Sequence, residues 1–250
     1  MERKRKMRRV GVIGCGAIGV IIAGAFERRI LSCDELVLYD YELERAETLK
    51  SQLHVPVRVV LNLDEMLKFK PKVIVEAASQ QAAREYVPQI VAKGIDVIVM
   101  STGALLGLNV QGRYVHVPSG AIGGLDALSA VALAGVDEVV LTTRKNPKSL
   151  DVNYVVETVI YEGDAEEAAR RFPREMNVAA TLALTVKPTR VRVRVVADPL
   201  VHRNTHEISV KWRFGEIFLR FANDPHPENP RTSALAAWSA IRLLQTLLEK

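Results

Sequence analysis

Cysteine is scarce in this 250-residue chain: Cys15 and Cys33 are the only two. They lack the spacing of metal ligands, and Cys15 falls inside a glycine-rich loop, so thiolate metal chemistry is excluded. No stretch approaches the roughly 18 to 20 uninterrupted apolar residues of a membrane span. The basic start runs into a strand-like segment instead of an apolar signal region, which argues against a secretory leader. A cytoplasmic protein without a membrane partner is expected. A strong excess of one charge is also missing. The formal net charge is +5, but the first nine residues, MERKRKMRR, account for that excess, and the remainder is close to neutral. Residues 1–7 read as a frayed basic tail, and no nucleic-acid partner is expected. Internal repeats and low-complexity segments are absent.

What is present is an ordinary globular mix, 48% hydrophobic and 25% charged. The length sits near the upper limit for one hydrophobic core, which favours two domains. From residue 8, short apolar runs alternate with helical periods: RRVGVIG, then a helix; ELVLYD (35–40), then a polar helix; PVRVVL; KVIVEAAS (72–79), a helix, and IDVIVMSTG (95–103). That rhythm predicts a parallel sheet covered on both faces. After STGA it breaks. About ten residues lead to the next candidate strand, RYVHVPSG (113–120), too few for a crossover helix. Beyond a helix in GGLDALSAVALAG, strands follow at 137–145, 153–163, 190–198, 206–214 and 216–224, the last two joined as a hairpin at Gly215. Helices at DAEEAARRF and NVAATLALTV interrupt them, the first with Asp164 and Glu167 spaced like a capping box.

The expected fold is therefore α/β. It has a Rossmann-type parallel sheet in residues 8–121 and a second α/β domain with a mostly antiparallel or mixed sheet in 122–230. The amphipathic helix in 231–250 packs back on the first domain, with Ala237, Ile241, Leu244 and Leu248 on one stripe.

GCGAIG places Gly14, Gly16 and Gly19 after a strand and at the start of a helix, with Asp40 closing the second strand 21 residues past Gly19. This context makes a dinucleotide fingerprint of an otherwise weak hexapeptide. Gly14 permits the turn, Gly16 lets backbone approach a pyrophosphate, and Gly19 lets helix and strand pack closely. The phosphates meet the free N–H groups of the first helical turn, at Ala17 and Ile18. Asp40 would accept from ribose hydroxyls and repel a 2′-phosphate, favouring NAD over NADP, although NADP stays possible. Further cofactor contacts are expected where the other strands end, at Ala78 and Ser79 and at Ser101 and Thr102, since ligands lie outside the carboxyl ends in doubly wound sheets.

Seven motifs in this order, EAASQQAAREY, VMSTGA, SGAIGGLDAL, LTTRKN, FPREMNVAATLAL, NTHEI and NPRTS, closely resemble the L-aspartate dehydrogenase family of archaea and bacteria, from about residue 8 to the C-terminus. The resemblance implies NAD(P)-dependent oxidation of L-aspartate to iminoaspartate, which yields oxaloacetate and ammonia. It also implies a possible supply of NAD synthesis through quinolinate, and a homodimer. By motif match it puts the catalytic histidine on His206 and cofactor contacts on Ala121 and Asn177. The chain departs from the family pattern after STGA, where the family's usual helix is missing.

On residue chemistry alone, Asn177 also suits a helix cap. Arg144 and Lys145 at a strand end could clamp the two carboxylates of aspartate, or be exposed basic residues. Ser119 and Asn204 are weaker substrate candidates. His202 and His206 are four apart in a strand pattern, where that spacing does not make a metal pair, so no metal is expected. Counting by two from Ile208, Val210, Trp212 and Phe214 puts Asn204 and His206 on the covered face, with Thr205 and Glu207 opposite. A histidine there, with an ordinary pKa near 6.5, would serve as general base toward the water attacking the imine. Two other readings stay open: another two-domain reductase of the dihydrodipicolinate reductase type, and a non-catalytic NAD-binding regulator.

Overall fold

The computed structural model describes residues 7–109, 112–173, 176–226 and 229–249. All of the expected basic tail except Met7 lies outside them. The chain divides into two compact units, one of Met1–Ser101, Leu108–Pro118 and Ala237–Lys250, the other of Thr102–Gly107 and Ser119–Ala236. A division drawn from sequence at residues 121 and 230 differs chiefly in leaving Thr102–Gly107 with the first unit.

The first unit contains β1 (Arg9–Ile13), α1 (Ala17–Glu27), β2 (Glu35–Tyr39), α2 (Leu43–Ser51), β3 (Val57–Val59), α3 (Leu63–Lys68), β4 (Val73–Glu76), α4 (Gln80–Ala92), β5 (Asp96–Val99) and β6 (Val115–His116). Its six strands form one sheet in the order β3-β2-β1-β4-β5-β6, parallel throughout. That is the doubly wound order of dinucleotide-binding sheets. β2 and β4 are buried along their whole length, which is why LVLY and VIV within them are continuous apolar runs instead of alternating ones. Val10, Val12, Leu36, Leu38 and Val75 share a core with Ile22 and Phe26 of α1. Ile241, Leu244 and Leu248 of the C-terminal helix (Ala234–Glu249) join the same core, as the apolar stripe of that helix requires.

Two details depart from the sequence reading. α3 was not anticipated, yet its start is reciprocally capped: Asn62 Oδ1 accepts the Glu65 N–H at 2.9 Å, and Glu65 Oε2 accepts the Leu61 N–H at 2.9 Å. The segment after β5 is a single 3-10 turn, Thr102–Leu106, and β6 has two residues where the pattern predicts a strand over 113–120.

The second unit contains α5 (Leu125–Ala134), β7 (Val136–Lys145), β8 (Thr158–Asp164), α6 (Ala165–Arg171), α7 (Asn177–Thr185), β9 (Val191–Ala197), β10 (Asn204–Trp212), β11 (Gly215–Asn223), β12 (Pro225–His226) and β13 (Asn229–Ser233). The main sheet runs β11-β10-β7-β9-β8. It is mixed: β7 and β9 are parallel and the other pairs antiparallel. Val139 and Leu141, Val193 and Val195, and Ile208 and Val210 form its covered face against α5, α6 and α7. Each such side chain contributes about 1.5–3 kcal/mol by leaving water. A one-residue register slip would turn all of them outward. Asp164 caps α6 by accepting the Glu166 N–H. Phe214 does not continue the β10 row, because it sits in the hairpin turn and is 68% exposed. β8 starts at Thr158 instead of Asn153; Val155 and Val156 are exposed there.

Candidate active site

At the carboxyl edge of the first sheet, β1 passes into α1 through Gly14, Cys15 and Gly16. Gly14 has φ +94°, and a Cβ on it would lie 2.6 Å from the Ala77 carbonyl oxygen. A Cβ on Gly19 would lie 2.0 Å from the Gly14 oxygen, so the loop and helix close on each other only without side chains. Gly16 has open space around its missing Cβ, and it gives α1 no side-chain cap. The N–H groups of Ala17, Ile18 and Gly19 in the first turn have no intrahelical partner. An uncapped helix start beside a side-chain-free surface fits a pyrophosphate.

Asp40, just past β2, fixes this loop. Its Oδ2 accepts the Cys15 N–H at 2.7 Å and its Oδ1 the Glu42 N–H at 2.9 Å. The carboxylate keeps lone pairs for ribose hydroxyls on a half-buried side chain. The Cys15 thiol is buried next to it, and burial pushes its pKa up to about 12, so it is not a nucleophile.

Ala78 and Ser79 are exposed at the start of α4, where the Ser79 hydroxyl caps the helix by accepting the Ala82 N–H. Ser101 is buried at the end of β5. Both turns are held by Glu76, a residue that the motif reading passed over. Its carboxylate is fully buried and accepts from the N–H groups of Ala78 (2.9 Å), Ser79 (3.1 Å) and Ser101 (3.0 Å) and from the Ser101 hydroxyl (2.9 Å). Burial raises its pKa while these donors oppose the rise. A visible signal was available: an acid closing the apolar run VIV in a strand buried on both faces.

In the second unit, polar side chains replace the apolar row at one end of the covered face. Thr143 and Lys145 on β7 and Asn204 and His206 on β10 are all buried. Antiparallel pairing sets His206 directly across from Thr143, and His206 Nδ1 lies 3.0 Å from Thr143 Oγ1. Desolvation, reinforced by the charge of Lys145, pushes the histidine pKa down to about 3, so the imidazole is neutral near pH 7. Thr205, on the opposite parity, is buried as well.

Arg144 has that opposite parity, and its guanidinium pairs with Asp198 at 2.8 Å and Glu157 at 2.7 Å, which raise its pKa. The structure thus separates the two basic neighbours: Lys145 joins the histidine, and Arg144 is committed to two carboxylates.

Asn177 is the first residue of α7 and does not cap it. Its Oδ1 accepts the Gly103 N–H at 3.2 Å and its main-chain oxygen the Thr102 hydroxyl at 2.7 Å; Thr181 donates to Thr102 Oγ1 at 3.0 Å. The 3-10 turn therefore orients the carboxamide, and its Nδ2 end is the part that can donate to a ligand. Ala121 is buried, and its carbonyl accepts from Asn223 Nδ2 at 3.2 Å. Ser119 is half-buried beside it in sequence. Among the described residues no three His, Cys, Asp or Glu side chains converge as a metal site, and no helix is long and apolar enough to cross a membrane.

Comparison with known proteins joins these two sets of residues in one family. Residues 126–247 match the family described as aspartate dehydrogenase, C-terminal, and residues 14–114 match homoserine dehydrogenase, NAD binding domain. An L-aspartate dehydrogenase of Methanothermobacter thermautotrophicus is 42% identical, with 96% of each chain covered. The chain belongs to the L-aspartate dehydrogenase family. A further L-aspartate dehydrogenase, from Archaeoglobus fulgidus, is also 42% identical over 96% of this chain and 98% of its own. The crystal structure of aspartate dehydrogenase from Thermotoga maritima superimposes with a TM-score of 0.73 at 30% identity, covering 97% of both chains. The family match spans both halves of the chain and does not favour a reductase of the dihydrodipicolinate reductase type or a non-catalytic regulator.

Proposed function

We propose that the protein oxidises L-aspartate to iminoaspartate with NAD, NADP being the poorer cofactor, and that the imine is then hydrolysed to oxaloacetate and ammonia. The observation that carries this reading is His206, a neutral, buried imidazole at the polar end of an apolar row, in a chain of this family. When bound, the dinucleotide supplies the hydride acceptor. Gly14, Gly16 and the N–H groups of Ala17, Ile18 and Gly19 hold its pyrophosphate. Asp40 selects a ribose with a free 2′-hydroxyl, by hydrogen bonding to it and by repelling a phosphate there. In the first unit Ala78, Ser79 and Ser101 serve the other nucleoside; in the second, Thr102, Ala121 and the Asn177 amide are the proposed cofactor contacts.

Lys145 supplies a point charge for a substrate carboxylate, and Asn204 and Ser119 are further polar candidates. With its proton on Nδ1 and donated to Thr143 Oγ1, His206 presents the Nε2 lone pair. It can then take a proton from the water that adds to the imine carbon. A base must be unprotonated before it acts, and the neutral ring meets that condition across the neutral range; the burial that keeps it neutral also weakens it as a base. The same reading makes the chain a homodimer, supported by exposed apolar side chains on the uncovered sheet face, Phe218 on β11 and Val159 on β8.

The test is NADH formation followed by absorbance with L-aspartate and NAD. Aspartate-dependent NADH supports the reading; silence with both NAD and NADP overturns it.

A further inference from the structure

Of the helices that start at the carboxyl edge of the first sheet, α1 and α4 treat anions in opposite ways. α1 begins at Gly16 with no side-chain cap. α4 is already occupied from within: the Ser79 hydroxyl caps it, and the N–H groups of Ala78 and Ser79 point at Glu76. The Ser101 N–H and hydroxyl, from the end of β5, point at the same carboxylate. All four partners are donors, so the Glu76 carboxyl fills from within, as an acceptor, the place proposed for a phosphate on α1.

We infer that Glu76 is a positioning residue for the second nucleoside of the dinucleotide: it binds the exits of β4 and β5 into one unit and turns their N–H groups inward. In a trans peptide the carbonyl points opposite to its N–H. The Ala77 carbonyl is accordingly directed toward Gly14, where a Cβ would meet it at 2.6 Å. The Ala78 carbonyl, opposed to the Ser79 N–H, is turned away from the carboxylate at an exposed residue. The β4–α4 turn is therefore closed to phosphate and offers acceptors to hydroxyl and amide donors. Doubly wound sheets consist of two mononucleotide halves. Asp40 and the glycine loop serve the half around β1 and β2, which leaves the Glu76 turns to the nucleoside that carries the nicotinamide. This inference rests on the dinucleotide assignment made above.

The experiment is a binding titration without aspartate, using NADH and, separately, ADP as a probe of the adenine half. Two variants are compared with the natural sequence. Glu76→Gln keeps the shape but sets an amide N–H₂ against a donor. Ser101→Ala removes only the hydroxyl donor. Expected are a tenfold or greater weakening of NADH binding in Glu76→Gln and a roughly threefold weakening in Ser101→Ala, with ADP affinity held within twofold in both. Equal weakening of NADH and ADP, or unchanged NADH binding in a folded Glu76→Gln, overturns the inference. If Glu76→Gln does not fold, unchanged NADH binding in Ser101→Ala overturns it. Absence of aspartate oxidation alongside the NADH and ADP contrast would defeat the catalytic reading and leave this one standing, whereas a natural protein that binds neither ligand defeats both.

Discussion

At the carboxyl edge of the first sheet, the groups assigned to the ligand are mostly main-chain: the open start of α1, the missing side chains of Gly14 and Gly19, and turns pinned by Asp40 and Glu76. At the polar end of the second sheet they are side chains on two paired strands, His206 and Asn204 against Thr143 and Lys145. On the proposed reading, the first arrangement serves what dinucleotides share and the second what one reaction needs. Substitutions should separate the two. Changes in the second sheet should strike turnover and substrate, and changes in the first should strike the cofactor.

The sharpest break is His206→Ala. It is expected to lower kcat by about 10²–10⁴-fold, the usual contribution of a positioned general base, with NADH affinity unchanged in a binding titration. Lys145→Met follows. Losing one charge-assisted contact to a carboxylate costs about 1.5–3 kcal/mol, so the KM for L-aspartate should rise by roughly 10–100-fold with the KM for NAD unaltered. On the other side of the comparison, Asp40→Ser removes the repulsion of a 2′-phosphate. The ratio of kcat/KM for NAD over NADP should fall on the order of tenfold, and kcat with saturating NAD should hold.

A further expected effect is on stability, and it emerges only in acid. His206 titrates at 6.5 when unfolded and at about 3 in the folded protein. Between those values the unfolded chain binds the extra proton, so the contribution is full above pH 6.5 and is lost progressively as pH falls toward 3. The slope is about 1.4 kcal/mol per pH unit in that window. Denaturant unfolding of His206→Asn should show a shallower acid dependence than the natural sequence. An identical dependence would mean that the ring is not buried neutral.

The same contrast explains what could be read in advance. Gly14, Gly16, Gly19 and Asp40 are legible because a backbone requirement fixes residue type at short spacing. The neighbours of His206 are not, because Thr143 lies 63 residues away and joins it only through strand register. Parity put His206 and Asn204 on the covered face, and both are buried there. The count failed at Phe214, where a hairpin turn ends the period. Capping chemistry is legible at Asp164 and hidden at Asn62, because α3 is under two turns long and leaves little periodicity. Asn177 looked like a cap, but its carboxamide is drawn to Gly103, a contact 74 residues distant that local propensity cannot express. Glu76 lay hidden inside an apolar run, since an acid there has meaning only once the turns around it are in place.

The C-terminal helix has a consequence for the order in which the protein can be made. Ile241, Leu244 and Leu248 complete the core around β1 and α1, whose other members lie at the opposite end of the chain. Nearly all of the second unit falls in one continuous stretch, Ser119–Ala236. During synthesis that stretch has emerged before the last fourteen residues, Ala237–Lys250, are available. The cofactor half, although translated first, is thus finished last. Until then the apolar residues of β1 and α1 that pack with Ile241, Leu244 and Leu248 are without those partners.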